Sequence, residues 1–241
     1  MSIAQALLET KDRIANAALR ANRNPAEVML IAVSKTFPAS AVLEAIAAGQ
    51  RDFGENRVEE ALLKKEEVKR QKAEGAWHLV GHVQSRKAKE VVGPFDLIHS
   101  VDSLKLAEML DRRTSLHTPL ATLHILLECN VSGEASKEGF DLANWENEPA
   151  KFLAFVDAVE KMQTLAAIRV EGLMTMAPIV ESQDRARPVF ASLRHLRAAL
   201  RERFPQLALS HLSMGMSDDF EAAIAEGSTM VRVGRAIFGT R

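Results

Sequence analysis

One alternation runs the length of this chain and excludes most folds for it. A short apolar run rich in β-branched residues is followed by a polar or glycine-containing turn, then by a longer stretch with helical periodicity. Eight such runs occur, at Val28 to Ser34, Asp52 to Glu55, Trp77 to Gly81, Leu97 to Val101, Leu123 to Val131, Val170 to Thr175, Leu207 to Ser213 and Met230 to Val233. Helical patterns separate them, among them Ala39 to Ala48, Arg57 to Lys72, Ser103 to Arg113, Ala150 to Leu165, Gln183 to Arg203 and Asp218 to Glu226. An amphipathic stretch from Ser2 to Arg23 precedes the first run. Strict strand-then-helix order implies parallel strands with right-handed crossovers, and eight repeats close most simply into an α/β fold of the TIM type, a (β/α)8 barrel. An open doubly wound sheet is the alternative, but the first strand is not followed by the G-x-G-x-x-G turn that would support it.

The chain has 241 residues, 47% of them hydrophobic, which suffices for one sizeable core and for a single domain over residues 1–241. Lys and Arg total 31 against 32 Asp and Glu, a net charge of -1, so neither nucleic acid nor an anionic membrane is expected as a partner. No apolar run approaches the roughly 18 residues of a membrane span. The single cysteine, Cys129, has no internal partner, and the N-terminus lacks a basic start with an apolar signal core, so a cytoplasmic location is expected. Residues Ser132 to Pro149 form the longest irregular stretch, read as either a mobile loop or a surface excursion.

Ligands of a barrel sit at the C-terminal ends of its strands, so the residues closing each run are the ones to inspect. Lys35 closes the first, in "IAVSKTFP". Burial there would favour the neutral amine, the form that attacks an aldehyde; the alternative is a lysine that snorkels out with its stem on Phe37. The seventh run leads into "SMGMSDD" and the eighth is "VRVGRAIFG". Glycines and hydroxyls at those two ends suit a phosphate, because backbone must approach the oxygens closely. Equally, Gly215 and Gly234 make tight turns and Ser217 caps the next helix. Arg232 lies two residues before Gly234 on the inward alternation, where it can donate to a pyridine nitrogen or join an interior ion pair with Glu55 or Asp102. A reactive lysine facing a phosphate seat suggests pyridoxal phosphate; a sugar-phosphate aldolase would use the same pair of features.

Seven segments, "AVSKT", "FGENRVEEA", "WHLVGHVQSRKAK", "IHSVDSLKLAE", "GLMTMAP", "LSMGMSDDFEAAI" and "VRVGRAIFG", occur in an order that resembles the pyridoxal phosphate homeostasis proteins. The resemblance covers nearly the whole chain. It implies the barrel of the alanine racemase N-terminal domain with an N-terminal helix and no added β-domain. It also implies covalent binding of pyridoxal phosphate, with Lys35 as the Schiff-base lysine and Asn56 beside the cofactor. His78 and Gly81 would line the ring face, with Ser100 and Met174 nearby. Ser213, Gly215, Met216, Ser217 and Gly234, with Arg235, would hold the phosphate, and Arg232 would meet the pyridine nitrogen. No residue is assigned to catalysis or to a metal. Three positions depart from the family pattern: Arg235 stands where threonine is common, Arg57 where tyrosine is common and His82 where proline is common. The first replaces a hydroxyl contact with a cationic one.

Other conspicuous residues have plainer readings. His117 and His124 read as surface or satisfied core positions, Cys129 and the Met174 and Met176 pair as packing, and Arg86, Lys87 and Lys89 as a solvated face. A racemase of this fold needs two bases, and in alanine racemase, which the resemblance brings in, the second is a tyrosine from the partner subunit's extra domain; this chain holds no tyrosine. That argues against a racemase, and the resemblance implies a protein that keeps vitamin B6 pools balanced; the expectation is a monomeric carrier that passes cofactor to pyridoxal phosphate-dependent apoenzymes. The competing readings are an amino-acid racemase, a Schiff-base aldolase and a ligand-free interaction module.

Overall fold

The computed structural model describes residues 1–84, 87–117, 121–178 and 183–239. Strands β1 (Met29–Val33), β2 (Asp52–Glu55), β3 (Ala76–Leu79), β4 (Leu97–Val101), β5 (Leu123–Asn130), β7 (Ile168–Met174), β8 (His211–Ser213) and β9 (Met230–Val233) are all parallel. They pair in the order β4-β3-β2-β1-β9-β8-β7-β5, and β4 pairs with β5 to close the ring. Helices α1 (Ile3–Arg20), α2 (Ala39–Ala47), α3 (Val58–Arg70), α4 (Ala88–Val91), α5 (Leu104–His117), α6 (Pro149–Met162), α7 (Gln183–Arg203), α8 (Phe220–Ala225) and α9 (Arg235–Phe238) accompany them. The expected eight-stranded barrel is the fold.

Local chemistry explains the element ends. Ser2 caps α1 by accepting from the Gln5 amide, and Ala6, Leu7, Thr10, Ile14, Ala17 and Ala18 bury one stripe of that helix, the spacing that places side chains on one face. In α7 the buried residues Phe190, Leu193, Leu196 and Leu200 do the same. Each such side chain taken from water contributes about 1.5–3 kcal/mol. Strand β8 begins at His211 rather than at Leu207, because Leu209 adopts a left-handed φ of 41° that no ladder admits. The apolar run there packs instead of pairing. Residues 132–149 are also not a plain excursion: β6 (Phe140–Asp141) adds to β5, Leu142 and Trp145 are buried, and the Trp145 indole donates to Ser192 Oγ on α7 at 3.0 Å.

Strand alternation sorts the barrel interior into layers. Ile31, Leu97, Leu126, Met174 and Met230 form an apolar layer separate from the main core between strands and helices. Two residues further along the chain from each stand Val33, His99, Glu128, Met176 and Arg232, all still on their strands but Met176, which follows β7. At this level His99, Glu128 and Arg232 lie beyond the apolar layer, on the side of the strands' C-terminal ends.

Candidate functional site

At that end a cavity of about 270 Å³ opens between the strand termini, lined among others by Val33, Lys35, Asn56, Met176, Ser217, Arg232 and Gly234. A wider groove of about 880 Å³ runs past Leu62, Lys65 and Trp77 at the other side of β2 and β3 and holds none of the strand-end residues. The chemistry therefore belongs to the smaller, deeper cavity.

Lys35 stands on the turn leaving β1 and is exposed at the cavity rim. Of the two readings of Lys35, the exposed lysine holds and the buried amine does not: the Phe37 amide bonds back to the Ser34 carbonyl at 3.0 Å, and this turn carries Lys35 past the last ladder bond. Both neighbours of Lys35 are clamped. Lys64, only 4% exposed, donates to the Ser34 carbonyl at 2.7 Å, to Glu55 Oε1 at 2.7 Å and to Glu60 Oε1 at 2.8 Å. Ser34 Oγ donates to Glu55 Oε1 at 2.6 Å, and the Thr36 amide donates to Glu60. Thr36 has a φ of 70°, a strained conformation for a β-branched residue that persists only where its surroundings hold it. Burial raises the Glu55 pKa, against the hydrogen bonds from Lys64 and Ser34, and its Oε2 has no partner among the described residues.

The loops after β8 and β9 meet across the cavity. Gly215 has a φ of 95°, and a Cβ added to it would lie 2.6 Å from the Ala223 Cβ and 2.8 Å from the Phe220 Cα; only glycine fits. A Cβ on Gly234 would come within 3.1 Å of the Val33 carbonyl oxygen. Ser217 Oγ accepts from the Ala236 amide at 3.5 Å, joining the two loops. The Met216 amide is engaged, donating to Asp219 Oδ1 at 2.6 Å. Arg235 lies at the mouth and donates to Asp218, both side chains being exposed.

Arg232 forms the inner wall. It is buried, and burial lowers its pKa to about 10, so it remains a cation at neutral pH. Its Nη1 donates to the Ser213 carbonyl at 2.7 Å and to Ser213 Oγ at 2.6 Å, and its Nη2 donates to the Thr175 carbonyl at 3.0 Å. The interior ion pair with Glu55 or Asp102 does not form. Instead the charges of Glu128 and Asp219 face it. Glu128 is 4% exposed, and burial raises its carboxyl pKa to about 7 despite the Arg232 charge.

Of the thirteen residues read from the sequence, Lys35, Asn56, Met216, Ser217, Arg232, Gly234 and Arg235 line the cavity. The other six do not. Ser100 Oγ turns away and donates to the Gly81 carbonyl at 2.6 Å, while Gly81 itself is packed so closely on Asn56 that a Cβ would lie 2.4 Å from the Asn56 oxygen. Met174 belongs to the apolar layer, Gly215 supports its loop from behind, and His78 and Ser213 lie deeper in the barrel. Sequence reasoning passed over Glu128, whose place two residues after the inward Leu126 was a usable signal, and Lys64, which resembles any solvated helical lysine. Among the plainer readings, the Cys129 thiol is buried and its pKa is raised by that burial, Lys87 pairs with Glu59, and Arg86 lies outside the described residues.

Comparison with known proteins agrees with this geometry. The family model of the alanine racemase N-terminal domain matches residues 10–241. A pyridoxal phosphate homeostasis protein of Pseudomonas aeruginosa is 43% identical over 240 residues, spanning 100% of this chain and 96% of the relative. One from Escherichia coli is 40% identical over 240 residues, spanning 99% and 97%. The structure of PipY from Synechococcus elongatus with pyridoxal phosphate bound has a TM-score of 0.80 at 39% identity and covers 99% of this chain and 100% of its own. An alanine racemase of Clostridium difficile has a TM-score of 0.69 at 13% identity, covering 100% of this chain and 57% of the racemase, which is a likeness of fold alone. The chain belongs to the alanine racemase N-terminal domain family and, within it, to the pyridoxal phosphate homeostasis proteins.

Proposed function

We propose that this protein binds pyridoxal phosphate at Lys35 and serves intracellular pyridoxal phosphate homeostasis, without sustained amino-acid turnover. The observation that carries the reading is one cavity bordered by an accessible amine, a glycine-and-serine seat between two loops and a buried guanidinium. That set fits an aldehyde-bearing aromatic phosphate. Lys35 would hold the aldehyde carbon, Ser217 and the close backbone at Gly234 would take the phosphate, and Arg232 would face the ring nitrogen. When bound, the cofactor supplies an electron-withdrawing ring. Arg232 limits that withdrawal, because a cationic donor keeps the nitrogen it faces unprotonated.

Two further observations favour a carrier over a racemase. Besides Lys35, the described ionisable residues lining the cavity are Asp218, Asp219, Arg232 and Arg235. Asp218 is taken by Arg235 and Asp219 by the Met216 amide, which leaves no unengaged second base opposite Lys35 among them. Lys35 is also open to solvent, so cofactor can enter and leave. The same reading makes the protein cytoplasmic and monomeric, with cofactor-dependent apoenzymes as recipients. Among the described residues no helix is long and apolar enough to cross a membrane. Borohydride reduction of the cofactor-loaded protein, followed by peptide mass spectrometry, should place one pyridoxyl group on Lys35 and none in Lys35→Ala. Steady racemisation of an amino acid by the loaded protein, lost in the same variant, would sink the carrier reading.

A further inference from the structure

Beneath the cavity, a line of buried polar side chains crosses the barrel. Arg232 Nη1 lies 2.6 Å from Ser213 Oγ, Ser213 Oγ lies 2.8 Å from His99 Nδ1, His99 Nε2 lies 3.0 Å from His78 Nδ1, and His78 Nε2 lies 3.2 Å from Asp52 Oδ1. Ser213 and His99 are fully buried and His78 nearly so, whereas the Asp52 side chain at the start of β2 is 25% exposed. The line therefore joins the inner wall of the cavity to solvent at the opposite end of the strands.

Its hydrogens can be placed from its ends. A guanidinium only donates, so Ser213 Oγ accepts from Arg232 and has its own hydrogen left to give. His99 Nδ1 is the ring atom within reach and must accept it. The His99 imidazole is neutral, since burial and the adjacent His78 and Arg232 hold its pKa well below the usual value; its one hydrogen is then on Nε2 and is given to His78 Nδ1. His78 keeps a hydrogen on Nε2 and gives it to Asp52, which as a carboxylate only accepts. Every link points the same way, from the cation to the carboxylate, and no donor is left over. A reversed link at either histidine would make Ser213 Oγ accept twice and strand its hydrogen in a fully buried site, which costs a buried donor its partner. Aligned chains of this kind polarise one another, so the charge at one end is felt at the other.

We propose that Asp52, His78, His99 and Ser213 act as positioning residues for Arg232, a one-way hydrogen-bond chain through which a carboxylate at the far end of the barrel sets the orientation of the guanidinium facing the cavity. The chain and the Thr175 carbonyl engage Nη1 and one hydrogen of Nη2. Among the described residues Nε and the second Nη2 hydrogen have no hydrogen-bond acceptor, and Arg232 lines the cavity. What they would meet rests on the proposed pyridoxal phosphate site, but the chain itself does not.

Histidine side-chain nitrogen NMR on the protein without added cofactor tests the chain alone. Both His78 and His99 should carry their hydrogen on Nε2; a hydrogen on Nδ1 of either ring overturns the proposal. Asp52→Asn preserves an acceptor and removes the charge, while His99→Phe breaks the chain in the middle. Added pyridoxal phosphate should bind the Asn variant a few-fold more weakly and the Phe variant about tenfold more weakly, the scale of one misplaced charged donor. The visible absorbance of the bound cofactor should shift in both. Wild-type affinity and an unchanged spectrum in both variants overturn the proposal. If His99→Phe does not fold, the Asn variant and the tautomers decide. If the wild-type protein takes up no cofactor at all, the functional reading fails while the NMR result still stands or falls by itself.

Discussion

Two buried cations flank the cavity and are held in opposite ways. Lys64, beneath the Lys35 turn, touches carboxylates directly at 2.7 and 2.8 Å and spends its third donor on the Ser34 carbonyl. Arg232, inside the barrel, bonds two carbonyls and a hydroxyl, and its nearest carboxylates act on it without a hydrogen bond among the described residues. The difference separates a charge whose donors are all engaged from one that is held on one side. A cation whose donors are all consumed fixes backbone, here the strained Thr36 beside Lys35. A cation with donors to spare, propped from behind, can turn them toward the cavity it lines.

The largest expected effect breaks the first arrangement. Lys64→Met strands the Glu55 carboxyl in a buried site, and denaturant unfolding should show a loss of about 3–5 kcal/mol, with most of it recovered in Lys64→Met with Glu55→Leu because burying neither charge avoids the desolvation cost. A loss below about 1 kcal/mol in the single variant would mean that the ion pair is not what holds the turn.

The second effect sharpens the contrast through pH. Glu128 has a folded pKa of about 7 against an ordinary 4.5, so between those values the native state holds a proton that the unfolded chain has released. Its contribution is therefore complete below the unfolded value and is lost as pH rises toward 7, by up to ~3 kcal/mol. His99 works in the other direction: its folded pKa is depressed, so the unfolded chain takes up a proton first and stability falls as pH drops below about 6.5. Urea midpoints from pH 5 to 8 for the native protein and Glu128→Gln separate the two. The difference between them should change from pH 5 to about 7 and level off above it; parallel profiles would remove Glu128 from the account.

The smallest effect is at the cavity mouth. Arg235 and Asp218 are both exposed, and such pairs are worth about 0–1 kcal/mol. Asp218→Ala should release Arg235 toward the phosphate seat and tighten pyridoxal phosphate binding by up to about threefold, measured by fluorescence titration. Weaker binding would show that Asp218 orients the guanidinium rather than competing for it.

Much of this was legible residue by residue. Lys35, Ser217, Arg232 and Gly234 line the cavity because they stand at or just past strand ends, and strand ends of a barrel converge. Ser100, His78 and Ser213 were assigned to the ligand by motif, but a motif does not say which way a side chain faces. Ser100 points to the Gly81 carbonyl, and the other two belong to the chain behind Arg232. Lys64 had no local signal, since its Glu60 neighbour four residues earlier reads as an ordinary helical pair.

The order of apolar runs and helical stretches was enough to determine a closed parallel barrel, because that pattern follows from local periodicity and from the handedness of crossovers. Burial and pairing could be decided only by the tertiary structure. The energy of an ionisable group depends on neighbours brought from distant positions: Ser213 and His99 are 114 residues apart and touch at 2.8 Å, and no spacing along the chain announces that contact.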